Sequence, residues 1–124
     1  MPVEFTFTND SACLRCSGIV TAEEFLSEDR KLHAHFNSNE LKYAIVDFTE
    51  TTDLHLTSET MRILADEDRR HFEKHGPFKI VVVAPSDYMF GMSRMWQIIS
   101  ETDEDLSFIA RTMESALSWL KDNG

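Results

Sequence analysis

Ile80-Val81-Val82-Val83 is an unbroken run of β-branched side chains. A strand without polar alternation has both faces covered, as in parallel sheets flanked by helices. The chain then turns at Ala84-Pro85-Ser86-Asp87. It continues to Glu101 as a helical segment crowded with Tyr88, Met89, Phe90, Met92, Met95, Trp96, Ile98 and Ile99. A buried strand feeding a heavily apolar helix requires further layers around it, and the rest of the chain supplies them.

Val3–Thr8 alternates Val3, Phe5 and Phe7 with Glu4, Thr6 and Thr8, the pattern of a half-buried strand. Asn9-Asp10-Ser11 is turn chemistry. Ala12–Ser17 alternates again, with Ala12, Leu14 and Cys16 on one side, so the two runs predict an antiparallel hairpin. Thr21 followed by Glu24 fits a capping box and opens a helix to about His35, with Phe25, Leu32 and Phe36 as its apolar stripe. Asn37-Ser38-Asn39 ends it. Leu41–Phe48 reads as a second buried strand with Asp47 near its carboxyl end, and Thr49–Leu56 as a loop.

A helix from Ser58 to about His75, capped by Thr57 or Ser58, buries Met61, Leu64, Ala65 and Phe72 and stops at Gly76-Pro77. After the helix Asp87–Glu101 come an acidic turn at Thr102–Asp105, a short strand Leu106–Ala110, and a last helix from a Thr112 cap to about Lys121. The order ββαβαβαβα implies right-handed crossovers. The expected fold is α/β: a five-stranded, mixed, mostly parallel sheet with an antiparallel edge and four helices.

A chain of 124 residues suits one domain spanning 1–124. The formal net charge of −10 repels phosphate backbones and anionic headgroups, which argues against nucleic acid or a stable membrane association. No apolar run nears the roughly 20 residues needed to span a bilayer. MPVEFTFTND lacks the basic and apolar regions of a secretory signal, so the expected location is the cytoplasm.

Cys13-Leu-Arg-Cys16 matches C-x-x-C, yet on a strand positions three apart point to opposite faces, which predicts structural thiols. His33 and His35 diverge on their helix. His71 and His75 share a face with Glu67, but the spacing is not H-E-x-x-H, and a solvated polar face with no metal is the expectation. Ser86 stands between strand and helix without the flanking glycines of a nucleophile elbow. It reads as an N-cap, with Asp87 complementing the helix dipole. No dinucleotide or phosphate-binding glycine loop is present among the four glycines, and no catalytic set or cofactor is expected.

The helix 87–101 carries more apolar bulk than one stripe needs. Tyr88, Met92, Met95 and Ile99 form one stripe, and Met89, Phe90 and Trp96 widen it. Either the helix is buried on most sides or it offers a second surface, to a twin subunit or a ligand.

Tyr43-Ala-Ile-Val-Asp-Phe48, Ala84-Pro-Ser-Asp87, Phe90-Gly-Met-Ser-Arg-Met95 and Ala116-Leu-Ser-Trp-Leu120 together resemble the SpoIIAA-like family. These are bacterial domains related to STAS domains and grouped with CRAL-TRIO lipid-binding modules. The resemblance covers nearly the whole chain, and A-P-S-D-x-x-x-G-x-x-R-M, Ala84 to Met95, is its most specific piece. It implies a five-stranded, mostly parallel sheet. In the similar anti-sigma-factor antagonists a serine in an Asp-Ser-Ser-Gly context is phosphorylated. The matching stretch here, Leu56-Thr57-Ser58-Glu59-Thr60, lacks that Asp and Gly, and Ser58, with Thr57 beside it, is its nearest phosphorylation candidate.

The leading expectation is a non-enzymatic regulatory or interaction module, a homodimer through the Met/aromatic helix, with a possible protein partner. The alternative is a binder of a small lipophilic ligand at the carboxyl ends of the strands. There Asp47, Thr49, Pro85, Ser86, Asp87 and Arg111 would gather, with Tyr88, Phe90, Met92 and Trp96 lining an apolar pocket. A third reading gives Ser86, with Asp87 or a histidine, hydrolase or transferase chemistry.

Overall fold

The computed structural model describes residues 2–36, 41–75, 78–101 and 106–123. The expected stops at Asn37-Ser38-Asn39 and Gly76-Pro77 and the acidic turn Thr102–Asp105 lie outside these residues. The elements run β1 (Val3–Phe7), β2 (Ser11–Thr21), α1 (Ala22–His35), β3 (Tyr43–His55), α2 (Ser58–His75), β4 (Lys79–Val83), α3 (Asp87–Ile99), β5 (Ser107–Ala110) and α4 (Met113–Asn123). The sheet order is β1-β2-β3-β4-β5, with β1 antiparallel to β2 and every other pair parallel. This is the α/β arrangement that the sequence predicts.

Because each crossover steps to the adjacent strand in the same direction, right-handed connections place α1, α2 and α3 on one face. The main core forms there, from Leu14, Ala44, Ile80 and Val82 of the sheet against Phe25 and Leu32 of α1, Met61 and Leu64 of α2, and Met89 and Trp96 of α3. The opposite face is covered at β4 and β5, where Val81, Val83 and Ala110 pack on Ala116 of α4. Covering on both sides is the reason Ile80–Val83 carries no polar residue.

The third strand is longer than its apolar content suggests. The segment Thr49–His55, read from sequence as loop, continues β3 and pairs with the equally prolonged end of β2, from Ser17↔Glu50 to Thr21↔His55. Ladder hydrogen bonds to β2 hold these residues extended although Glu50, Thr52 and Asp53 are polar and exposed. The pairing shifts register twice, and Gly18 sits at the second shift with φ of +64°. That left-handed conformation is one that glycine adopts without steric penalty.

Helix starts follow the expected chemistry. Thr21 Oγ1 accepts from Glu24 N at 3.3 Å, while the Glu24 carboxylate takes the Thr21 hydroxyl hydrogen at 2.8 Å instead of completing the reciprocal backbone bond. Thr57, not Ser58, caps α2 by accepting from Thr60 N at 3.1 Å. Ser86 caps α3 by accepting from Met89 N at 3.1 Å, and Thr112 caps α4 by accepting from Ser115 N at 3.1 Å.

The buried face of α3 is rotated from the predicted stripe. Met89, Ser93, Trp96 and Gln97 are buried, Phe90, Met92, Met95 and Ile99 pack partly against the core, and Tyr88 and Ile98 are exposed. Tyr88 leaves the stripe because its hydroxyl donates to the carbonyls of Leu54 and Leu56 at the end of β3, at 3.3 and 3.4 Å. Most of the excess apolar bulk is therefore absorbed by the protein's own core. No helix among the described residues is long and apolar enough to cross a membrane.

Candidate functional site

A cavity of about 60 Å³ lies between the sheet and the three helices of the main core. One buried water needs roughly 10–15 Å³, so several atoms fit there. Its walls are apolar, from Leu14, Phe25, Ala44, Val46, Phe48, Leu64, Val82, Met92 and Trp96 among others. Its polar members are Asp29, His33, Asp68 and Ser93.

Three of those polar residues form one cluster across the seam between α1 and α2. Asp29 and His33 stand one turn apart on α1, on the same side as Phe25 and Leu32. Asp68 stands on α2 in register with Met61, Leu64 and Ala65. His33 Nε2 lies 2.6 Å from Asp68 Oδ1 and 3.2 Å from Asp29 Oδ2. Trp96 Nε1 on α3 donates to Asp68 Oδ2 at 2.7 Å. Ser93 Oγ donates within α3 to the Met89 carbonyl at 2.8 Å.

The three groups shift one another's protonation. Burial would lower His33, but hydrogen bonds to Asp29 and Asp68 and their charges raise it to about 10, so the ring is cationic at neutral pH. Burial would raise Asp29, yet hydrogen bonds from His33 and Asp68 outweigh it and hold that carboxyl below its usual range. Burial and the neighbouring Asp29 push Asp68 well above the usual range, while the His33 hydrogen bond and charge pull it down. His33 Nδ1 is buried and has no hydrogen-bond partner among the described residues.

Around this core lies a second shell of contacts between the same helices. The His33 and His71 rings lie 4.0 Å apart, and His71 and His75 4.7 Å. Burial, then the His33 and His75 charges, push His71 down to about 4. Arg30 makes a two-pronged bridge to Glu67, Nε to Oε1 at 2.9 Å and Nη2 to Oε2 at 2.8 Å. The His71 face read from sequence as solvated is thus turned toward α1, because His33 and Arg30 reach across to meet it. His35 points away, stacking on Phe7 at 3.9 Å.

Of the residues expected to line a site, Met92 and Trp96 reach the cavity. Asp47 and Thr49 are mid-strand, because β3 runs on to His55, and they bond to each other. Pro85, Asp87, Phe90 and Arg111 meet at the carboxyl ends of β4 and β5. Arg111 bonds to Asp87 Oδ1 at 2.9 Å and lies over the Phe90 ring at 4.2 Å. Tyr88 and Ser86 are exposed beside them. Ser58 and Thr57 are exposed at the start of α2. Cys16 is fully buried and Cys13 half-buried. Burial, then Asp47, pushes the Cys16 thiol up to about 12 and raises Cys13 as well. Both thiols therefore stay protonated at neutral pH.

Sequence reasoning missed Asp29, His33 and Asp68 as a group. The available signal was an acid standing in the apolar register of each helix: Asp29 between Phe25 and Leu32, and Asp68 between Leu64 and Phe72.

Solved structures share this architecture. The anti-sigma factor antagonist SpoIIAA in its unphosphorylated form superposes with a TM-score of 0.60 at 13% identity, over 96% of this chain and 97% of that one. An uncharacterised protein of the DUF3478 family with a SpoIIAA-like fold, from Shewanella loihica PV-4, gives 0.59 at 17% identity, over 95% and 91%. No protein-family model and no curated protein matches the sequence. The chain has the SpoIIAA-like fold that the motifs anticipated.

Proposed function

We propose that this protein is a non-enzymatic regulatory or interaction domain whose input is a small, largely apolar molecule held in the cavity beneath α1, α2 and α3. The cavity itself carries the reading: its walls are mostly apolar, with polar groups confined to the α1–α2 seam and α3, the make-up of sites that hold small molecules. Its volume of about 60 Å³ favours a compact ligand over a long acyl chain.

Three further observations support a binding role over catalysis. Ser86 is occupied as a helix cap, Asp87 pairs with Arg111, and both thiols are held protonated. A protein partner as the output fits the anti-sigma factor antagonist that shares this fold. Assembly through α3 is supported less, since most of its apolar surface is buried within the subunit.

Native mass spectrometry of gently purified protein, followed by thermal-shift measurements with compact hydrocarbons, tests the reading. A co-purifying mass or a saturable rise in melting temperature is expected. A bare chain mass together with no shift for any hydrocarbon at its solubility limit overturns it.

A further inference from the structure

His33 lines the cavity and spends one ring nitrogen on the seam. Nε2 faces both Asp68 and Asp29, while Nδ1 is buried without a partner among the described residues. A buried polar group left unpaired is costly, and such groups are normally satisfied by protein, water or ligand. Resting on the binding reading above, we infer that the cavity's occupant is a compact apolar molecule bearing a hydrogen-bond acceptor, such as a ketone, ether or ester oxygen, which takes the Nδ1 hydrogen of His33.

The chemistry of the cluster fixes the polarity of that contact. With carboxylates on Nε2 holding the ring cationic, Nδ1 carries a hydrogen and donates. An occupant that only donates finds no lone pair there. Trp96 Nε1 is already committed to Asp68, and Ser93 Oγ to the Met89 carbonyl. Among the polar side chains of the cavity-lining residues, His33 therefore keeps the donor, Nδ1, that has no partner among the described residues.

A divalent cation is the competing occupant of the cluster, since donor atoms of Asp29, His33 and Asp68 all lie within 4.8 Å of one another. Ligation through Nε2 would leave Nδ1–H buried and unpaired. Metal-bound histidines almost always hand that second hydrogen to an acceptor. The organic acceptor removes the orphan; the metal preserves it.

The test uses wild-type protein labelled at histidine nitrogen and methionine methyl, titrated with cyclohexanone and with methylenecyclohexane. The two probes share a ring and differ in C=O against C=CH2. Both are expected to shift the Met92 methyl, and the ketone alone to shift His33 Nδ1 and slow exchange of its hydrogen. Corrected for the pair's water-to-hydrocarbon partition ratio, the ketone is expected to bind roughly tenfold tighter, as for a hydrogen bond from a charged donor.

If both probes bind and Nδ1 responds to neither, or equally to both, the acceptor requirement is overturned while the binding function stands. If neither moves the Met92 methyl at its solubility limit, the binding function falls and this inference with it. A saturable one-to-one zinc(II) response at His33 Nε2, without a ketone response at Nδ1, reassigns the cluster to a metal and overturns the inference.

Discussion

Trp96 Nε1 donates to Asp68 Oδ2 at 2.7 Å in the interior, joining α3 to α2 through a carboxyl that His33 also holds from α1. Substituting Trp96→Phe keeps an aromatic ring in place but leaves that oxygen unpartnered. A loss of about 1–3 kcal/mol is expected, the cost of an unsatisfied buried polar group. Urea unfolding measures it, and a change below the error of extrapolation would show that the bond contributes nothing net.

The same cluster predicts stability against pH. His33 is raised in the fold to about 10, above its unfolded value near 6.5. Its contribution is complete below the unfolded value, declines as pH rises from there, and is gone above about 10. His71 works in the opposite sense. It is lowered to about 4, so its contribution is complete above 6.5 and lost as pH falls toward 4. Thermal melts should therefore fall off on both sides of a maximum near neutrality, and His33→Gln should flatten the alkaline limb. An alkaline limb unchanged in that variant would contradict the assignment.

Ala44 places a single methyl against the cavity from the second position of β3. In Ala44→Val two added carbons enter empty space on a strand position that suits β-branching. Stability should rise by about 1 kcal/mol from the added burial, and thermal shifts from compact apolar probes should disappear. A net destabilisation would mean that no usable space lies beside Ala44.

A Cβ at Gly18 would meet no atom within 4 Å among the described residues, so its replacement is governed by backbone. Gly18→Ala should cost about 1–2 kcal/mol, the penalty for an L-residue in the left-handed region. Chemical denaturation of the variant checks this, with an unchanged midpoint as the contrary result.

Cys13 and Cys16 should resist iodoacetamide at pH 8 in the folded protein and react fully in denaturant. Their thiols are buried or half-buried and held protonated. Rapid native labelling of Cys16 would show that the interior opens there.

The fold was legible because its signals are local. Ile80–Val83 could only be a doubly covered strand, and Thr21, Thr57, Ser86 and Thr112 mark the helix starts. The far half of β3 was not legible, since Glu50–Asp53 is extended by pairing with β2 and has no apolar alternation of its own. The face of α3 was misjudged by one step because Tyr88 spends its hydroxyl on β3 carbonyls, a bond between residues more than thirty positions apart. The cavity cluster escaped for a related reason. Asp and His are residue types that are mostly exposed when taken singly, and only the meeting of Asp29, His33 and Asp68 across two helices makes burial tolerable.

The one-way stepping of the strands has a consequence for how the chain acquires its structure. A fragment ending after α1 holds Asp29 and His33 with nothing opposite them, and one ending after α2 still lacks the indole that finishes Asp68. Partial assemblies of this kind bury charge at a loss, so each is less stable than its apolar contacts alone would make it. Productive folding must close separations of 28 to 35 residues before the interior becomes favourable. That requirement favours a slow, all-or-none transition over stepwise docking of the helices.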